Sequence, residues 1–142
     1  MMSLLLEAMS RYGLSEIPGS GENPAIVEMS KSLGYPFRSE DDNWCGIFIA
    51  YCALQSGLQP PEKAYTARNW LKWGVESQRP ETGDIVVFWR VSPSSWKGHV
   101  GIFLNFADPR REYVHVLGGN QGNRVCVMPY EASRVLGYRR VP

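Results

Sequence analysis

The sequence has 142 residues and a formal net charge of +1, with five tryptophans, seven tyrosines and fourteen glycines. That length suits one compact domain able to bury a core, and the near-neutral charge lacks the electrostatic footprint of a nucleic-acid or anionic-membrane surface. No run reaches the roughly eighteen apolar residues that a bilayer span requires, so integral membrane association is not expected.

The opening "MMSLLLEAMSRYG" is apolar early, but Glu7 interrupts it and no basic segment precedes it. It reads as an amphipathic helix ending at Gly13 rather than as a secretory signal, which predicts synthesis in the cytoplasm. "GENPAIVEMSKSLG" offers Asn23 as N-cap, Pro24 at the first helical position and Gly34 as the stop. "DDNWCGIFIAYCALQSG" predicts a third helix, capped by Asp42 or Asn43 and stopped at Gly57. Its apolar residues surround the axis, the pattern of a helix buried within the domain. A shorter helix is predicted between Thr66 and Gly74. After "RPETGD" the period changes, and "DIVVFWR", "HVGIFLNF", "REYVHVL", "RVCVMPY" and "RVLGYRRV" read as strands. The connections are too short for crossover helices, so the sheet should be antiparallel. Helices followed by a strand meander predict an α+β fold in a single domain over residues 1–142.

Three cysteines leave at least one without an intramolecular partner. On one helix, Cys45 and Cys52 would lie about 10 Å apart along the axis, beyond the roughly 7 Å Cα separation a disulfide tolerates. A bridge to Cys126 has little to recommend it in a chain this poor in cysteine. Cys45 stands where an acidic turn becomes an apolar run, in the first turn of the third helix. Backbone N–H groups without intrahelical partners and the helix dipole favour a thiolate there. Gly46 beside it would leave room for a substrate, whereas Asp41 and Asp42 oppose ionisation, so a base is needed.

Of the two histidines, His99 begins a strand between Gly98 and Gly101, where an imidazole can face a cleft. His115 lies within "EYVHVL" among apolar neighbours. His99 is therefore preferred as base over His115. Asn120, in "VLGGNQGN", could orient the imidazole through its second nitrogen, giving a Cys–His–Asn set. Cys52 and Cys126 read as core residues, and Asp84 as a turn cap. Trp44 and Trp96, each near a catalytic candidate, are candidates to line a substrate groove. Two distant histidines without C-x-x-C or H-E-x-x-H offer no zinc site, and neither a metal nor another cofactor is expected.

"GENPAIVEM", "DNWCGIFIAYC", "TARNWLKWG", "TGDIVVFWR", "GHVGIF", "VLGGNQ" and "RVLGYRRVP" together resemble the CHAP and NlpC/P60 cysteine peptidoglycan hydrolases, in particular a subgroup common in phage endolysins. The resemblance runs from about residue 20 to the C-terminus. It implies a papain-like fold, Cys45 as nucleophile, His99 as general base and Asn120 as the orienting residue. It also implies cleavage of an amide in the peptide part of peptidoglycan, either the N-acetylmuramoyl–L-alanine amide or a D-amino-acid peptide bond. The chain departs from the family pattern twice. Gly118 stands where many CHAP enzymes carry glutamate, and "RSEDDNW" lacks the glutamine that papain-type enzymes place before the cysteine, leaving the Cys45 backbone N–H as the identifiable oxyanion donor. The expected protein is a monomeric phage lysin released to the wall. A secreted antibacterial amidase effector and a non-catalytic wall-binding module are the alternatives, and a papain-like protease of proteins is a third.

Overall fold

The structure, a computed structural model, describes residues 3–15, 23–35 and 44–142. The predicted caps Asp42 and Asn43 lie outside the described residues. Helix α1, Leu4–Met9, starts where the Ser3 hydroxyl accepts from the Leu6 N–H. It ends earlier than predicted because Gly13 (φ +92°) turns away to donate to the Val125 carbonyl. Helix α2, Pro24–Ser32, has the predicted punctuation: Asn23 accepts from the Ala25 N–H, Pro24 opens the first turn, and Gly34 (φ +74°) follows the end. Helix α3, Cys45–Gln55, is the central one, packed by α1 and α2 and laid against the sheet. Phe48, Ile49, Ala50, Cys52 and Ala53 are all buried along it.

"TARNWLKWG" forms a 3-10 helix over Ala67–Lys72 rather than an α-helix. Three residues per turn align Ala67, Trp70 and Trp73 on one face, and all three are buried. Both indoles keep their hydrogen bonds, Trp70 Nε1–H donating to the Ala64 carbonyl and Trp73 Nε1–H to that of Gln59. An α-helical repeat would rotate the two indoles out of that line.

Among the described residues the sheet is antiparallel, with six strands: β1 (Val75–Glu76), β2 (Ile85–Trp89), β3 (Gly98–Phe106), β4 (Tyr113–Gln121), β5 (Arg124–Glu131) and β6 (Val135–Arg140), in spatial order β1-β6-β2-β3-β4-β5. Five are the predicted runs; β1, at two residues, is too short to read from a sequence pattern. Ile85, Val87, Val100, Ile102 and Leu117 join the core under the helices, while Val86, Phe88, Phe103, Val114 and Val116 form a second cluster. The alternation of the pleat sorts neighbours to opposite faces, so "IVVF" is buried on both. Asp84 is a turn cap, accepting from the Glu81 N–H, and its carboxylate also takes a two-nitrogen contact from Arg140 at 3.0 and 2.9 Å. That pair fastens the end of β6 to the start of β2.

Candidate active site

Cys45 is the first residue of α3, preceded by Trp44, which provides no side-chain cap. The N–H groups of the first turn lack intrahelical partners, and the positive end of the helix lies at the thiol. Cys45, Cys52 and Cys126 are outside any disulfide and all buried, so accessibility does not distinguish them; their neighbours do. Burial pushes the Cys52 thiol up to about 12, which makes it inert.

Gly46 owes its identity to packing rather than to substrate, correcting the sequence expectation. A Cβ there would fall on the Ala64 carbonyl oxygen, the same atom that receives the Trp70 indole. Two further glycines join helix and sheet at the site. A Cβ at Gly119 would meet Phe48 Cβ and Trp44 Cζ3, each at 2.8 Å, and one at Gly118 would lie 3.5 Å from His99 Nε2. Adjacent residues of β4 thus touch the start of α3 and the imidazole. That places the start of α3 and the His99 imidazole against the same stretch of β4, although helix and strand belong to different layers.

His99, opposite Phe88 in the β2–β3 register, is 5% exposed. Its Nε2 is 2.9 Å from Gln121 Oε1. Gln121 Nε2 donates to the carbonyls of Val116 (3.0 Å) and Cys126 (2.7 Å), and the Cys126 thiol donates to the Gln121 carbonyl (3.2 Å). Both amide protons of Gln121 are thereby spent on backbone oxygens, so its carbonyl must face the imidazole and accept. The proton therefore sits on Nε2, and Nδ1 carries a free lone pair. Burial lowers the His99 pKa to about 4; the Gln121 hydrogen bond opposes that shift and Arg90 adds to it. The resting imidazole is neutral at pH 7, in the tautomer a base needs.

Sequence reasoning put the orienting group at Asn120, and the bond to Nε2 comes from Gln121, one residue further on. The reason is local: the β4–β5 register shifts between Gly118 and Gln121, and Asn120 sits at φ +58° within that irregularity. Simple alternation fails across such a bulge. The one available signal was Gly118 itself. A Cβ at that position would come within 2.6 Å of Gln121 Oε1, so the glycine clears the space the carboxamide occupies.

His115 is elsewhere on β4, its Nδ1 2.8 Å from Asn105 Oδ1. Trp44, 2% exposed and edge-on to Phe48, is a core residue and offers no face to a substrate groove, which corrects that expectation. Trp96 is 72% exposed, in the loop before His99. Arg68 braces that loop by donating to the carbonyls of Ser92, Pro93 and Lys97. A surface cleft bounded by Tyr35, Leu54, Pro60 and Glu62 contains none of the site residues.

The family model of the CHAP domain matches residues 35–120, well over half of the sequence. The chain belongs to the CHAP domain family. This CHAP domain is also similar in structure to a "similar to lipoprotein, NLP/P60 family" protein from Staphylococcus aureus subsp. aureus Mu50, with TM-score 0.52 and 15% identity over 97% of this chain. It spans 40% of that protein's chain, and the likeness establishes a shared papain-like α+β fold. No curated protein matches the sequence. The family's activity is that of cysteine peptidases and amidases related to peptidoglycan. Its matched segment contains Cys45 and His99 and stops one residue short of Gln121.

Proposed function

We propose that this CHAP domain hydrolyses an amide in the peptide part of peptidoglycan, with Cys45 as nucleophile and His99 as base. The observation that carries the reading is the Gln121 carboxamide, clamped on two backbone carbonyls, which leaves His99 Nδ1 as the unprotonated nitrogen. In the proposed cycle Nδ1 takes the Cys45 proton and the sulfur attacks the scissile carbonyl carbon. The tetrahedral oxyanion is met by the Cys45 backbone N–H at the helix start. Nδ1–H then protonates the departing amine as the C–N bond breaks, leaving a thioester. Water, deprotonated by Nδ1, attacks the thioester, releases the carboxylate product and restores the thiol. Gln121 takes no proton; it stabilises the Nε2–H tautomer throughout and compensates the imidazolium formed in each transfer. Trp96 is the residue we assign to contact with the polymer beyond the scissile bond.

Purified sacculi incubated with the protein, followed by mass spectrometry of the soluble fragments, test this directly. New amino groups should appear, with fragment masses that distinguish the muramoyl–alanine amide from a D-amino-acid bond. Reducing sugars released without new amines would sink the assignment. Within this reading the domain is a phage lysin acting on the wall from within the infected cell. Targeting it to the periplasm should then lyse a susceptible host while cytoplasmic expression is tolerated, and equal toxicity from both compartments would contradict a wall substrate.

A further inference from the structure

Gln121 fixes one atom of the imidazole. A single hydrogen bond tolerates considerable tilt at its carbonyl acceptor, whereas a reacting geometry must hold to within roughly 10–20°. Something else must hold the plane of the ring. On β5, Tyr130 lies against His99 with ring centroids 4.9 Å apart and an interplanar angle of 17°. The same tyrosine stacks on Phe88 at 5.0 Å and 28°, while Phe88 lies 6.2 Å from the imidazole. Tyr130 thus packs against both members of the Phe88–His99 cross-strand pair. Its phenol also feels the Cys45 thiol: its pKa is raised first by burial and then by the Cys45 and Cys126 charges. Tyr130 therefore lies face-on to the proposed base, outside the segment that matches the family model.

We propose that Tyr130 is a positioning residue for the base, covering one face of the His99 imidazole and holding the plane in which Nδ1 is presented to the Cys45 sulfur. The proposal rests on the hydrolase reading above. The ring does two things. It restrains rotation of the imidazole, and it keeps water off the face it covers. Stacking on a π-face also favours the imidazolium, but burial is the first cause of the low His99 pKa. Uncovering the ring should therefore raise its titration midpoint. The remaining groups bearing on this pair are Arg90, which acts on both rings, and the thiols of Cys45 and Cys126; Gln121 is neutral.

The test uses Tyr130→Leu and Tyr130→Phe, with imidazole ¹⁵N resonances followed through a pH titration and His115 in the same spectrum as internal control. Steady-state kinetics on a soluble peptidoglycan fragment accompany it. Tyr130→Phe should keep the His99 midpoint, the Nε2–H tautomer and kcat within about twofold. Tyr130→Leu should raise the His99 midpoint by about one unit and lower kcat at least about tenfold, with KM nearly unchanged, as expected for a misaligned base. If Tyr130→Leu does not fold, Tyr130→Met, whose flexible unbranched chain can fill the site without a flat face, takes its place with the same expectations. A leucine or methionine variant with the wild-type midpoint and kcat would overturn the proposal. A wild-type protein without hydrolytic activity whose leucine variant still shifts the His99 midpoint would overturn the hydrolase reading and leave the positioning contact standing.

Discussion

The molecule contains two histidines on neighbouring strands, and their surroundings differ in every respect that matters to a base. His99 is buried, stacked under Tyr130, and bonded at Nε2 to a glutamine whose own donors are committed elsewhere. His115 is half-buried on β4, bonded at Nδ1 to Asn105 across the sheet in a solvent-exposed contact. Asn105 can turn either end of its amide toward that ring, so nothing equivalent selects the His115 tautomer. Residue type alone makes neither one a base. A fixed tautomer and exclusion of water are what set His99 apart from His115.

Substitution should separate the two most sharply. His99→Ala is expected to lower kcat by several orders of magnitude, as loss of one member of a coupled catalytic set does. His115→Ala should stay within a few-fold, and steady-state assays on peptidoglycan fragments would detect a reversal at once. Next in size, Gln121→Ala should cost about a hundredfold in kcat, since it frees the tautomer and removes the amide that bridges two backbone carbonyls. Asn120→Ala should cost less than tenfold. An equal or larger effect at Asn120 would return the orienting role to the residue named by family resemblance.

The order of these two predictions shows what the sequence could and could not convey. Asn23, Pro24 and Gly34 announced α2 because caps act through neighbours only a few residues away. Five strands were legible from alternation and turn residues for the same reason. The 3-10 helix at Ala67–Lys72 was not, because its form follows from indole bonds to Gln59 and Ala64. Cys45 and His99 were readable as candidates from their places at element starts. Gln121 was hidden by a bulge whose register depends on β5, and Tyr130 by the fact that stacking across the sheet leaves no mark on local pattern. Trp44 misled because proximity in sequence to a nucleophile says nothing about which side of a helix start a ring occupies.

The two histidines also differ in how they couple stability to pH. His99 is free to protonate near 6.5 when unfolded but only near 4 when folded. Between those values the unfolded chain binds the extra proton, so stability is complete above about pH 6.5 and is lost as pH falls toward 4. A shift of that size corresponds to on the order of 3 kcal/mol. Denaturant midpoints measured between pH 7 and 4 should fall for the wild type, and that component should vanish in His99→Gln while surviving in His115→Gln. The smallest expected effect concerns the thiols. Cys52→Ala should cost about 1 kcal/mol of stability and leave kcat unchanged, because its thiol lies in the α3 core and stays protonated.

The central claim is that His99, through Nδ1, activates Cys45. Its most direct measurement is the rate of iodoacetamide modification at each cysteine, resolved by peptide mass spectrometry at neutral pH in the wild type, His99→Ala and His115→Ala. Cys45 should react fastest of the three buried thiols in the wild type, lose that advantage in His99→Ala and keep it in His115→Ala. A Cys45 rate that is indifferent to His99, or that falls when His115 is removed instead, would contradict it.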